Sequence, residues 1–146
     1  MKIAIASDHG GLVLREEIKK VMDELELQYE DFGCDCTTSV DYPDYGIPVA
    51  EKVASGEFDR GILICGTGIG MSISANKVKG IRCALVHDVF SAKATREHNN
   101  SNILAMGERV IGPGLAREIA IAWLTTEFQG GRHENRINKI AEYENK

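Results

Sequence analysis

Nothing in this chain restricts its fold more than Ile62-Leu63-Ile64-Cys65-Gly66-Thr67-Gly68-Ile69-Gly70. A short apolar run that opens into Gly-x-Gly-x-Gly reads as a buried parallel strand feeding a tight turn and then a helix, since glycine permits the backbone such a turn needs. The first N–H groups of a helix have no partner within it, so the turn offers a site for an anion. Cys65 sets the segment apart from an ordinary phosphate loop. A thiol at the mouth of the turn meets the positive end of the helix, which favours the thiolate. A base or nucleophile beside donors for an oxyanion is a catalytic arrangement. The same residues also suit a packing turn closed by a small buried cysteine, and the rest of the chain has to separate the two.

Residues 2–7 predict a first strand, and Leu14, Ile18, Val21 and Leu25 then recur at helical spacing. A second strand near 28–32 leads into a polar segment, 33–44, and Pro48 suits the first turn of a helix running to about Ser55. Segments 61–65, 83–86 and 103–107 read as further strands, with helices near 69–78, 89–98 and 113–126. Leu115, Ile119, Ala122 and Trp123 share one side of the last of these. The end of the chain, about 132–146, predicts a terminal helix with Ile137 and Ile140 turned toward its own core or a partner. Strand and helix alternate with few hairpin signals, which specifies an α/β fold. The expected form is a three-layer α/β/α sandwich around a mainly parallel, Rossmann-like five-stranded sheet, in a single domain spanning 1–146. With 43% hydrophobic and 27% charged residues, a chain of 146 residues can build one such core.

Ligands of such sheets bind beyond the carboxyl ends of the strands. Asp8-His9-Gly10-Gly11, Cys65-Gly66-Thr67-Gly68 and Gly107-Glu108-Arg109 each follow a predicted strand, so they should converge there. Asp8 and His9 can orient hydroxyls or relay protons, and Asp8 equally suits a cap on the glycine turn. His98 lies in a polar stretch, 96–102, and reads either as a chemical group or as a histidine satisfying carbonyls at a helix end. Arg132 and Arg136, four apart, share a helix face that can hold a dianion or remain solvated. A thiol, two histidines, a glycine loop and arginines suit a reaction on a small phosphorylated metabolite.

The formal net charge of -5 argues against nonspecific nucleic-acid binding. No apolar run near 18 residues and no leader is present, so no membrane association and a cytoplasmic location are expected. All four cysteines are then expected to be reduced thiols, and Cys34-Asp35-Cys36 lacks the spacing and the second ligand pair of a zinc site.

With these segments placed, the chain closely resembles the ribose-5-phosphate isomerase type B family, whose wider group includes isomerases of allose and galactose phosphates. The resemblance covers nearly the whole length in six ordered motifs: Ser7-Asp8-His9-Gly10-Gly11, Asp41-Tyr42-Pro43-Asp44-Tyr45, Cys65-Gly66-Thr67-Gly68-Ile69-Gly70, Arg96-Glu97-His98-Asn99, Gly107-Glu108-Arg109-Val110-Ile111-Gly112 and Gly130-Gly131-Arg132-His133-Glu134-Asn135-Arg136. It implies the pentose phosphate pathway interconversion of D-ribose 5-phosphate and D-ribulose 5-phosphate through an enediolate, with no metal and no organic cofactor. By the same resemblance Cys65 is the base that moves the proton between C1 and C2, and His98 is the proton donor that assists ring opening. Some relatives use a glutamate just after the glycine loop, where this chain has Met71. The loop residues Gly66, Thr67, Gly68, Ile69 and Gly70 would steady the enediolate, with the Thr67 hydroxyl among the donors.

The resemblance further implies that Asp8 and His9 hold the sugar end or help open the ring, that Tyr42 lines the pocket, and that Asn99, Arg109, Arg132 and Arg136 contact hydroxyls and phosphate. It also implies a homodimer, or a dimer of dimers, with residues 98–109 of one subunit reaching the Cys65 pocket of the other. The alternatives are D-allose 6-phosphate or another hexose 6-phosphate as substrate, a subunit of a heteromeric isomerase, and a phosphate- or nucleotide-binding module in which Cys65 and His98 have no task.

Overall fold

Three strands of this chain are buried almost without interruption, the pattern of strands covered on both faces: β1 (Lys2–Ser7), β3 (Arg60–Cys65) and β5 (Ile103–Gly107). In the computed structural model, which describes residues 1–146, they form the middle of a five-stranded sheet flanked by β2 (Gln28–Asp31) and β4 (Cys83–Leu85). Every pairing is parallel, in the order β2-β1-β3-β5-β4. The expected three-layer α/β fold is therefore present, with β5 inserted between β3 and β4. That insertion leaves β4, three residues long, as an edge strand, and short edges resist unwanted pairing.

Helices α1 (Leu12–Glu24), α2 (Pro43–Ala54), α3 (Ile69–Ala75), α4 (Val89–Asn99), α5 (Pro113–Thr125) and α6 (Arg132–Glu144) complete the chain. Alternate residues of each strand supply the two cores. On one face Ile3, Ile5, Ile62, Ile64, Leu104 and Met106 pack with Leu14, Ile18 and Met22 of α1 and Ile119 and Trp123 of α5. On the other Ala4, Ala6, Leu63, Cys65, Ile103 and Ala105 pack with Val49, Ala50 and Val53 of α2 and Met71 and Ala75 of α3. No helix is long and apolar enough to cross a membrane.

The structure departs from the sequence expectations at five places. Helix α2 begins at Pro43, whose fixed φ suits a first helical position, so Pro48 lies within the helix, on its solvent side. Helix α3 ends at Ala75, and the next amides close tighter turns, Lys77 N–H on Ser74 O and Val78 N–H on Ala75 O. The buried face of α5 is Ala116, Ile119, Ala120, Trp123 and Leu124, with Leu115 41% exposed; the small alanines let the helix approach the sheet. Helix α6 starts at Arg132 and buries only His133, while Ile140 is 60% exposed and makes no dock on its own core.

The fifth departure concerns the thiols. Cys34 and Cys36 are joined in a disulfide, against the expectation of four reduced cysteines, and Cys65 and Cys83 are free. Buried Arg15 gathers that loop, its Nη1 donating to Ser7 Oγ (2.8 Å) and Cys34 O (2.7 Å) and its Nη2 to Asp35 Oδ1 (2.7 Å).

Candidate active site

Strands β1, β3 and β5 end at one level, because Ser7 pairs with Ile64 and Cys65 with Gly107. The chain leaves β1 toward β2 on one side while β3 lies on the other, and such a reversal of strand order opens a crevice at the carboxyl edge. Three loops are tied together across it. Asp8 N–H donates to Ile64 O (3.3 Å), Glu108 N–H to Cys65 O (2.9 Å) and Arg109 N–H to Gly66 O (3.0 Å). The Asp8 carboxylate accepts the Gly10 N–H at 2.8 Å, so it does cap its turn. His9 Nδ1 accepts the Val40 N–H at 3.1 Å, a bond that requires a neutral ring with its proton on Nε2.

Cys65 closes β3 with 5% of its surface exposed, and its Sγ accepts the Gly68 N–H at 3.1 Å. That backbone donor fixes the sulfur at the mouth of the glycine turn. Thr67 Oγ1 accepts the Ile69 N–H at 3.3 Å, which keeps the hydroxyl on the loop. A cleft of about 210 Å³ opens here, lined by Asp8, His9, Gly10, Tyr42, Cys65, Gly66, Thr67, Gly70 and Arg109. The Tyr42 ring covers Gly70, where a β-carbon would stand 2.6 Å from it, and the Arg109 guanidinium covers Gly66, at 3.2 Å by the same measure. A thiol, the backbone of a glycine turn and the Arg109 cation thus face one small volume. Gly68 and Ile69, expected to bind substrate, do not line it. Gly68 is buried and gives its N–H to Cys65, and Ile69 is 50% exposed.

A second, larger groove of about 650 Å³ lies elsewhere on the molecule, and its lining includes Arg82, Cys83, His98, Asn99, His133 and Arg136. His98 and Asn99 are exposed on the last turn of α4. Arg132, exposed at the start of α6, lines neither space. Within one chain the expected site is therefore divided: Arg109 sits beside its own Cys65 loop, while His98, Asn99 and Arg136 face the second groove. His98 does not serve the carbonyls at the end of α4. Arg82 does, with Nε on Asn99 O and Nη2 on Asn100 O (both 3.0 Å), together with Arg96, whose Nη1 reaches Ser101 O at 2.6 Å. Burial pushes the Cys83 thiol up to about 12, so it stays protonated.

Comparison with known proteins decides what kind of site this is. The sequence profile of a family described as Ribose/Galactose Isomerase matches residues 3–140. The chain belongs to the ribose/galactose isomerase family. The Bacillus subtilis protein named "Putative sugar phosphate isomerase YwlF" is 78% identical over 147 residues, covering 100% of this chain and 99% of that one. A solved structure of Clostridium thermocellum Ribose-5-Phosphate Isomerase B is 55% identical with a TM-score of 0.97, over 99% of this chain and 98% of that one. D-erythrulose-4-phosphate isomerase of Pectobacterium atrosepticum is 44% identical over 145 residues, 99% of this chain and 95% of that one. The protein is thus a sugar-phosphate isomerase, which sets aside the reading as a non-catalytic binding module.

Sequence reasoning missed several residues that shape this isomerase site. Glu108 Oε1 accepts the Leu14 N–H at 2.6 Å and so caps α1, whose own N-cap is Gly11 with no side chain to offer. His87 Nε2 accepts the Gly107 N–H at 3.0 Å, and burial holds that ring below the ordinary histidine pKa. His133 stacks on His98. None of these contacts has a local signal, since Glu108 and Leu14 stand 94 positions apart.

Proposed function

We propose that this isomerase interconverts D-ribose 5-phosphate and D-ribulose 5-phosphate with Cys65 as the base. The observation that carries the reading is the Cys65 sulfur, held by the Gly68 N–H in a cleft that also presents Thr67 and Arg109. The thiolate takes the proton from C2 of the open aldose, the C–H electron pair becomes the C1=C2 bond, and the carbonyl pair moves onto O1. Unengaged N–H groups of residues 66–70 and the Thr67 hydroxyl face the charge that develops there. The O2 proton passes to O1, and Cys65 returns its proton to C1 to give the ketose. No step calls for a metal or an organic cofactor. Met71 is fully buried beneath the loop, so no carboxylate competes for the role of base at that position.

His98, Asn99 and Arg136 complete the set only from a second chain. In this reading a homodimer forms over the exposed apolar side chains Ile69, Ile73, Leu85 and Phe90 near the β4 edge, and α4 and α6 of one subunit serve the cleft of the other. Arg136, with Arg132 four residues before it, holds the phosphate dianion, and His98 assists ring opening. Phosphorylated sugars do not cross membranes unaided, which supports a cytoplasmic location in this reading.

Mixing separately inactive Cys65→Ala and His98→Ala proteins under subunit exchange is expected to restore about a quarter of wild-type turnover. Half the dimers are then mixed, and each holds one intact site and one doubly deficient site. No recovery after verified exchange would place both residues in a site made by one chain.

A four-carbon substrate is the second reading, favoured by the relative that acts on D-erythrulose 4-phosphate. One carbon changes discrimination by about 1–3 kcal/mol, roughly 10- to 200-fold. Steady-state kcat/KM on D-ribose 5-phosphate, D-erythrulose 4-phosphate and D-allose 6-phosphate is expected to favour the pentose by at least about tenfold. A tetrose or hexose preference of that size would replace the assignment.

A further inference from the structure

We propose that His133 is a positioning residue that holds the imidazole of His98 flat against its own ring and so sets the plane from which His98 serves the sugar. The proposal rests on the reading of His98 as the ring-opening group. The two ring centroids are 4.4 Å apart and the planes differ by 15°. His98 is exposed on its outer side, whereas His133 is 7% exposed and is the one buried residue of α6. A helix that commits its single buried position to a ring beneath another ring is shaped around that contact.

The backbone on both sides is fixed. Gln129 N–H donates to Glu97 O at 3.1 Å, and Arg96 Nε donates to Thr126 O at 3.3 Å, so the approach to α6 is tied to α4. His133 N–H closes the turn onto Gly130 O at 3.2 Å. At the far end of α4 the Arg82 and Arg96 guanidinium groups hold the carbonyls that follow His98. The backbone that carries the two rings is therefore set by the fold.

The charged groups around the pair are mostly cationic. Arg132 and Arg136 come from α6 itself, Arg82 from the segment entering β4, and Glu97 and Glu144 are the acidic groups present. Burial, then His98, Arg132 and Arg136, hold His133 below the ordinary histidine range, with Glu97 opposing. At neutral pH His133 is uncharged, so it offers His98 a π-face instead of a second imidazolium. When His98 carries a proton in turnover, its charge lies over that face, an attractive geometry.

Nuclear magnetic resonance of the histidine rings in the intact protein, with kinetics of two variants, tests this. In wild type the His98 ring protons should be displaced by the ring current of His133. His133→Leu keeps similar volume without a flat ring. It is expected to lose the displacement and to lower kcat by on the order of 10- to 100-fold, as small misplacements of a reacting group do, while KM moves far less. His133→Phe restores the flat ring and should recover kcat to within about threefold of wild type.

An undisplaced His98 signal in wild type or a folded His133→Leu with wild-type kcat would each overturn the proposal. If both variants fail to fold, the ring-current displacement in wild type alone decides it. A His98→Ala protein with full turnover would sink the ring-opening role of His98 and leave the stacking test standing.

Discussion

Replacing Cys65 by alanine is expected to lower turnover of D-ribose 5-phosphate by about 10²- to 10⁴-fold, the usual contribution of a positioned base. The change removes one sulfur from a side chain with 5% exposure and leaves the Gly68 N–H that it engaged without its acceptor. The strand around it is held by backbone pairing to β1 and β5, so the fold should survive with a loss of about 1–2 kcal/mol. Cys65→Ser separates base strength from shape. A hydroxyl fills nearly the same space but ionises far less readily than a thiol, so its rate should fall close to that of the alanine variant. Initial rates in a reducing buffer, with thermal melts of each protein, decide the matter. A folded Cys65→Ala enzyme within tenfold of wild type would remove Cys65 as the base.

Gly68→Ala should be nearly as damaging, through structure first and chemistry second. Gly68 has φ of +77° at the head of α3, a region that costs a residue with a β-carbon about 1–2 kcal/mol. The new carbon would also stand 2.7 Å from Leu85 Cδ1 and 2.8 Å from the Met106 carbonyl carbon. The second neighbour is backbone of a central strand and cannot move aside, which adds the roughly 1–3 kcal/mol of an overpacked core. The sum, about 2–5 kcal/mol, is a large part of the stability of an ordinary domain and should lower the melting temperature by about 4–20 °C. Because the same residue gives its N–H to Cys65, turnover should fall in the surviving folded protein as well. Gly56→Ala is the control. Its φ is +83° but nothing lies within 4 Å of the new carbon, so it should show the backbone cost alone and full activity. Equal melts for the two variants would refute the close approach at Gly68.

The middle strands were legible because burial on both faces writes an apolar run, and β1, β3 and β5 begin and end within a residue of the expected bounds. Helix faces were less legible. On α5 the pattern pointed to Leu115, yet Ala116 and Ala120 face the sheet, since the larger side chain is not the one that fits where a helix lies close. Pro48 signalled a helix start, but Pro43 occupies that position, and two prolines five apart offer no local means of choosing.

In the site, Asp8, His9, Cys65, Thr67 and Arg109 were readable from their places just after strands, and the structure brings them to one cleft. Tyr42 came only through the family resemblance, because it reaches the cleft from the head of α2 by lying over Gly70. Ile69, the first residue of the helix after the glycine turn, faces outward and does not line the cleft. His133 stood inside a quoted motif without a role, since only its neighbour across the groove gives it one.

By itself the sequence determined the layer architecture, the glycine turn after β3 and the identity of the thiol at its mouth, because apolar periodicity and turn chemistry are local properties of a chain. The tertiary structure alone decided that β5 lies inside β4, that Glu108 caps a helix 94 residues away, and that His98 stacks on His133 in a groove apart from its own Cys65. Those contacts follow from strand order and helix placement, which are settled by packing between distant segments and leave no mark in any short stretch of residues.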